Sequence, residues 1–377
     1  MVQLAEQHRV VALFAEAIRS GCDIPPDIVE RVRQRARDNA RLDLTLNAEL
    51  TGILHLFEAH QIQSVALKGP SLGAQLYGTV ALRSSSDLDL LVHPEDLLRA
   101  KAILEANDYR MESALPWPVD EACLFRRDNQ ISFTHQTARQ ADPVWIDLHW
   151  RLLPPYFPQS FDEGDVWRNP AKIRLGAASA SVLPPEQLLL FLCAHGTKHV
   201  WDRLGWICDI ARLLHIEPQL DWSRVFTQAR QTHTGRMLKL GLSLASEMLG
   251  ASLPSEAAEY AVADPAVRPL VATVRTRLSA GISAPAASIT SALFTRRAFE
   301  RLPQRVRFTC GVFQPTEVEY QLLQLPLRWH SAYSGICGEQ QSSAARETPL
   351  AIFQKFEHTA PICLSWVGAV SLWVHFP

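Results

Sequence analysis

Seven cysteines in 377 residues, odd in number and without a CxxC pair, are too few and too scattered for a disulfide framework or a zinc site. They read as reduced thiols, which points to a cytoplasmic setting. The chain also lacks an excess of either charge: 37 basic against 39 acidic side chains leave a formal net charge of -2. An obligate nucleic-acid binder normally carries a marked basic surplus, so no DNA partner is expected and RNA is disfavoured. The first residues show no basic stretch followed by an apolar one, so no secretory leader is expected. The apolar stretch from Pro361 to Pro377 falls short of the ~20 residues of a spanning helix, and no membrane partner is expected. What the chain does have is length. Its 377 residues, 47% hydrophobic, hold two or three domains and a sizeable core.

The informative stretch begins at Val65-Ala66-Leu67, a short apolar run that stops at Lys68-Gly69-Pro70. Gly69 suits a tight turn, and Pro70 or Ser71 a helix start. A strand, a turn and a helix start together aim backbone N–H groups at an anion. Downstream, Arg83-Ser84-Ser85-Ser86-Asp87-Leu88-Asp89 continues as Leu90-Leu91-Val92. Positions two apart on a strand share a face, so Asp87 and Asp89 project together while Leu88 and Leu90 face the core. Side-by-side carboxylates repel unless a cation lies between them. Hard oxygen ligands suit Mg²⁺, which draws the rest of its shell from water and substrate phosphate. A third acid comes from the alternating run Val144 to Trp150, where Trp145, Asp147 and His149 share a face. An acid there is costly to bury alone. His149 either orients substrate or pairs with a carboxylate. A phosphate-cradling turn beside a Mg²⁺-binding pair points to phosphoryl or nucleotidyl transfer.

Lys68-Gly69, then Arg83, Ser86, Asp87 and Asp89, resembles the nucleotidyltransferase superfamily in its Lys-Gly variant, and within it the bacterial family of uncharacterised nucleotidyltransferases. More distantly it is similar to the nucleotidyltransferase-like toxins of abortive-infection systems. The resemblance runs from near the N-terminus to about Pro326. It implies an α+β fold: a minimal nucleotidyltransferase mixed β-sheet core with N-terminal helices and a C-terminal helical domain. It implies that Asp87, Asp89 and Asp147 hold Mg²⁺ (or Mn²⁺) and carry catalysis, Asp147 also serving as base. It implies that Lys68, Gly69, Ser71, Arg83 and Ser86 bind the nucleotide. Arg83 either clamps the nucleotide or pairs with a carboxylate of the core. The superfamily turn is usually Gly-Ser or Gly-Gly; here Pro70 offers no N–H, so phosphate contact falls to Gly69, Ser71 or a side chain. The segment Ala194 to Asp209 resembles the family's second signature. His195 and His199 share a helix face. With Lys198 and Arg203 they are expected to line the substrate pocket, with no third ligand for a zinc site. Trp201 and Trp206 are expected in the core.

The chain divides into an N-terminal helical region (1–60), a nucleotidyltransferase core (61–152), a proline- and aromatic-rich linker (153–182), a helical domain (183–330) and a tail (331–377). In the first region Leu42, Leu44, Leu46, Leu50, Ile53 and Phe57 supply apolar helix faces. The core reads as strands at 64–67, 87–92, 131–137 and 144–150. A helix over 257–278 is expected to break near Pro265 or Pro269, and 282–291, rich in Ala and Ser, reads as a further break. The implied activity moves an NMP from NTP, ATP included, to an acceptor hydroxyl with release of pyrophosphate. The acceptor stays open: a small molecule, a peptide, a protein or an RNA 3′ end. Two other readings stay open as well. One is a non-catalytic nucleotide-binding or partner-docking module; the other is a toxin-like transferase acting on tRNA or protein.

Overall fold

A computed structural model describes residues 1–21, 24–112, 128–136, 142–157, 163–280 and 289–312. The Ala/Ser-rich stretch at 282–288, the end of the family resemblance near Pro326 and the tail at 331–377 lie outside these residues. The chain opens with α1 (Val2–Gln7), α2 (Val11–Arg19) and the long α3 (Pro26–Ala59). Pro25 is extended (ψ 135°) and Pro26 takes the first helical position, where a missing N–H does no harm. β1 (Ser64–Ala66) turns at Lys68-Gly69 into α4 (Pro70–Tyr77). Then come β2 (Asp87–Val92), α5 (Leu97–Ala106), β3 (Arg110–Glu112), β4 (Gln130–His135) and β5 (Val144–His149). The five strands form one mixed sheet in the order β1-β2-β5-β4-β3. β2 and β5 run parallel and the other neighbouring pairs antiparallel.

The segment read as a linker contains α6 (Glu163–Arg168) and a hairpin of β6 (Ala171–Leu175) with β7 (Ala178–Val182). Its buried positions are small or few, chiefly Leu175, Ala180 and Val182, so its alternation is faint in sequence. The helical part follows as α7 (Pro185–Lys198), α8 (Leu204–Ile216), α9 (Trp222–Gln231), α10 (Gly235–Leu249), α11 (Ser255–Val262), α12 (Val267–Ala280), α13 (Ile289–Ala298) and α14 (Leu302–Val312). The break expected near Pro265 falls between α11 and α12. Among the described residues no helix is long and apolar enough to cross a membrane.

Two apolar clusters sit on opposite faces of the sheet. Leu88, Leu90, Phe133, Ile146 and Leu148 pack on Leu46, Leu50, Ile53 and Phe57 of α3 and on Leu97 and Leu104 of α5. Each such side chain contributes roughly 1.5–3 kcal/mol by leaving water. The other cluster joins α7, α8 and α10 to α1 and α2, and reaches Val65, Leu67, Leu72 and Leu91. The N-terminal helices are therefore shared between two cores. The face of β2 that carries Asp87 and Asp89 looks toward the helical part, because Leu91 has their parity.

Leu42 and Leu44 do not serve an apolar face: they are 37% and 58% exposed, while Asp43 between them is fully buried. Consecutive helix residues point apart, and this face of α3 meets the loop before β2. There Asp43 Oδ1 accepts the Ser85 N–H at 2.9 Å, and Asn39 Nδ2 donates to Ser84 Oγ at 3.1 Å. Asp43 Oδ2 has no hydrogen-bond partner. Burial, against the Ser85 bond, pushes the Asp43 carboxyl up to about 7. The folded protein thus keeps this proton to a higher pH than the unfolded chain. The associated stability is intact below about pH 4 and is lost as pH rises toward 7. Asp43→Asn keeps an oxygen for Ser85 and removes the titration. At about pH 8 the variant should be more stable than wild type, by at most about 4 kcal/mol, and the gap should shrink toward about pH 4. Urea unfolding at the two pH values measures it; a pH-independent gap contradicts the account.

Candidate functional site

Gly69 takes φ +68° and ψ -143°, in the left-handed half of backbone space. A Cβ there would lie 2.9 Å from the Asp87 carbonyl oxygen, so the turn closes on the start of β2 only because residue 69 has no side chain. Ser71 is fully buried, and its Oγ donates to the Lys68 carbonyl at 2.7 Å. That hydroxyl braces the turn. Lys68 leaves the turn toward β2 and pairs with Asp89, Nζ to Oδ1 at 2.8 Å.

β2 and β5 set Asp89 directly opposite Asp147, and β4 sets Ser132 opposite Asp147 on the other side. Ser132 Oγ donates to Asp147 Oδ1 at 2.6 Å. Asn129 Nδ2 donates to His149 Nδ1 at 3.1 Å, which leaves Nε2 as the donor to Asp89 Oδ1, also at 3.1 Å. His149 therefore takes the carboxylate-pairing role. Burial opposes ionisation of Asp89, yet Lys68 and His149 hold it well below the usual carboxylate range. Asp147 goes the other way: burial, then the charges of Asp89 and Asp87, push it up to about 6. Ligand atoms of Asp89, Asp147 and His149 lie within 4.8 Å of one another. Asp89 Oδ2 is buried with no hydrogen-bond partner. Two carboxylates grouped this closely, one of them with an orphaned oxygen, are a donor set that fits a hard divalent cation. Asp87 stands outside this tight group, half-buried, and accepts from Ser86 Oγ at 3.1 Å.

The helical part closes over this face. Arg83 Nε pairs with Asp209 Oδ2 of α8 at 3.0 Å, and Tyr77 O–H donates to Asp209 Oδ1 at 3.0 Å. Of its two expected roles, Arg83 takes the pairing one, with an acid of the helical part and not of the sheet. The rings of His195, in the last turn of α7, and His199, just past its end, lie 4.6 Å apart and tilted by 53°, with the Trp206 ring 5.3 and 5.2 Å away. Burial, reinforced by Lys68 and Lys198, holds both imidazoles well below their ordinary pKa. Among the described residues no third metal ligand accompanies the two histidines. Lys198 closes α7, and Arg203 precedes α8 with its guanidinium 5.4 Å from the centre of Trp206. Trp201 is core, its ring 2.6 Å from where a Cβ on Gly196 would sit. Trp206 packs against the larger apolar cluster but is only half-buried, and its free side lines a recess beside Arg203.

Sequence reasoning missed Arg9, Asn129 and Ser132. Arg9 Nη2 donates to Ser86 Oγ at 2.9 Å across 77 residues of chain, a contact no local pattern announces. Ser132 had a usable signal, since it lies on the strand that neighbours Asp147.

A mixed sheet whose adjacent parallel strands bring two carboxylates together, beside a glycine turn that opens a helix, defines a nucleotidyltransferase. A family model for uncharacterised nucleotidyltransferases matches residues 1–250, and the chain belongs to that family. The match covers everything from α1 through α10. No curated protein and no solved structure matches the chain.

Two glycines separate the turn's demand from ordinary helix energetics. Gly69→Ala should lower stability by about 1–3 kcal/mol, because φ is positive and the Asp87 carbonyl is in the way. Gly52→Ala, inside α3 with nothing within 4 Å of the new Cβ, should raise it by roughly 0.5–1 kcal/mol. Urea denaturation of both variants provides the comparison; a neutral Gly69→Ala contradicts the turn geometry.

Proposed function

We propose that the protein transfers an NMP from an NTP, ATP included, to an acceptor hydroxyl and releases pyrophosphate. One observation carries this reading: Asp89 and Asp147 stand opposite each other on parallel strands, one carboxylate oxygen orphaned, beside the Gly69 turn. A divalent cation, Mg²⁺ or Mn²⁺, would be held by Asp89 and Asp147 with Asp87 beside them, and would neutralise phosphate charge. Lys68 supplies a point charge to the phosphates, and the N–H groups of Gly69 and Ser71 complete the cradle. Arg83 and Ser86 hold the loop that presents Asp87. Ser132 fixes Oδ1 of Asp147, leaving Oδ2 to take the proton of the attacking hydroxyl. The hydroxyl oxygen then bonds to the α-phosphorus as the bond to the leaving pyrophosphate breaks. His149 keeps Asp89 oriented through its Nε2–H. His195, Lys198, His199 and Arg203 line the acceptor side. The acceptor is a small molecule, a peptide, a protein or an RNA end, and the cytoplasm is the setting that reduced thiols favour.

Asp89→Asn and Asp147→Asn should each reduce transfer of label from an α-labelled NTP by at least about 100-fold. The assay uses Mg²⁺ with cell lysate as acceptor source, and circular dichroism checks the fold. Undiminished transfer in either variant removes the mechanism. Wild-type protein that binds NTP but releases no pyrophosphate with any acceptor would favour the non-catalytic nucleotide-binding reading.

A further inference from the structure

One hydrogen-bonded link from Asp87, through Ser86 and Arg9, lies a shallow, partly open recess lined by Arg9, Arg83, Arg203, Tyr77, Trp206 and Asp209 among others. Three guanidinium groups share it. Arg83 is matched by Asp209 at 3.0 Å, and Arg203 by Asp202 only at 3.9 Å. Among the described residues Arg9 has no carboxylate within ion-pairing distance; it reaches Asp87 through the Ser86 hydroxyl. Burial first, then the repulsion of Arg203, pulls Arg9 down to about 10. A guanidinium so placed is short of negative charge, and its fork suits a phosphate or carboxylate.

The backbone is bent to make this arrangement. Arg9 itself sits at φ +56°, and the corner before Arg203 has Val200 at +56° and Trp201 at +54°. Left-handed angles are rare for any side chain and rarest for a β-branched one, and such strain gathers at functional sites. The two corners are tied directly: Gly205 N–H donates to the His8 carbonyl at 3.0 Å. A Cβ at residue 205 would lie 3.1 Å from that oxygen and 3.3 Å from the Arg9 carbonyl. Glycine there lets the N-terminal corner come close enough to face Arg9 toward Arg203. From Trp206 the wall continues through His195 and His199, whose rings lie 5.3 and 5.2 Å from it. The recess thus meets the reacting groups through Ser86 and Asp87, and borders the Gly69 turn through Arg83, whose Nη1 also donates to the Gly69 carbonyl at 3.5 Å.

We infer that this recess is an anion subsite for the second substrate, so that the acceptor carries a phosphate or carboxylate group which Arg9 and Arg203 grip while its hydroxyl faces Asp147. The inference rests on the nucleotidyl-transfer reading of the same site and adds the chemical class of the acceptor.

Inorganic phosphate and malonate serve as probes, titrated into the full chain at constant ionic strength and followed by thermal shift. Phosphate should bind saturably in the presence of a saturating non-hydrolysable Mg-ATP analogue. Arg9→Gln and Arg203→Gln should each weaken phosphate or malonate about tenfold while changing affinity for the nucleotide analogue no more than about twofold. Asp89→Asn should lose transfer yet keep phosphate binding, which separates failure of the subsite from failure of the chemistry. A second readout needs no variant: phosphate should slow amide exchange at residues 8–10 and 202–206 of the wild type. The subsite is overturned if phosphate does not saturate or if exchange there is unchanged. It is overturned equally if the nucleotide analogue displaces phosphate or loses affinity in parallel, since the recess would then belong to the nucleotide.

Discussion

Asp89 and Asp147 face each other across parallel strands in a nearly dry setting, and two carboxylates so placed repel unless positive charge or a proton intervenes. The surroundings answer that repulsion unevenly. Asp89 receives Lys68 and the His149 N–H and stays ionised. Asp147 receives only a hydroxyl from Ser132 and is driven up by its neighbours. Two acids in one pocket with environments that push them apart is the usual origin of divided labour between a charge-holding and a proton-handling carboxylate. Strand register makes the difference. Each strand contributes its group at a fixed position, and a one-residue slip would turn every one of them into the apolar core.

The helical part supplies the second wall, and a buried charge holds it there. Asp209 of α8 accepts from Tyr77 at the end of α4 and from Arg83 in the loop before β2. Removing one member of such a buried set leaves the others uncompensated, which typically destabilises by about 3–5 kcal/mol. The N-terminal corner docks on the same helix through His8 and Gly205. The first helices therefore do more than cover a core. They deliver Arg9 to Ser86, one hydrogen bond from Asp87.

Much of the sheet side is legible in the chain because its signals are local. Gly69 must bend left-handed, Asp87 and Asp89 share parity, and Val144 to His149 alternates without interruption. Side chains placed by period-2 geometry could be assigned to a face without knowing the fold. The helical side is less legible because its groups act through distant partners. Ser71 looks like a phosphate ligand in sequence, yet its hydroxyl closes the turn. Leu42 and Leu44 suggest an apolar face, yet the buried residue is Asp43, whose partner lies 42 residues on. The hairpin at 171–182 hides because small alanines and serines carry its alternation weakly. Arg9 has no neighbour in sequence that hints at its role.

Stability alone does not account for these charges. A buried ion pair such as Lys68–Asp89 contributes little net stability, because desolvating both groups offsets their attraction, and apolar residues of similar size often do as well or better. An orphaned Asp89 oxygen, a carboxyl at Asp43 pressed toward its neutral form, and left-handed corners at Arg9 and Val200 each subtract from the fold. Comparable features occur elsewhere in the described residues, at Gln61, Asp108 and His233 and at Gln187 and Gln228, so strain by itself does not mark the site. What is particular to the β2–β5 pair is charge: strand register holds two carboxylates opposite each other, one matched by Lys68 and the other only by a hydroxyl. There the chain gives up stability for a fixed arrangement of charge, the condition for stabilising a reaction's charged transition state without reorganising at the moment of reaction.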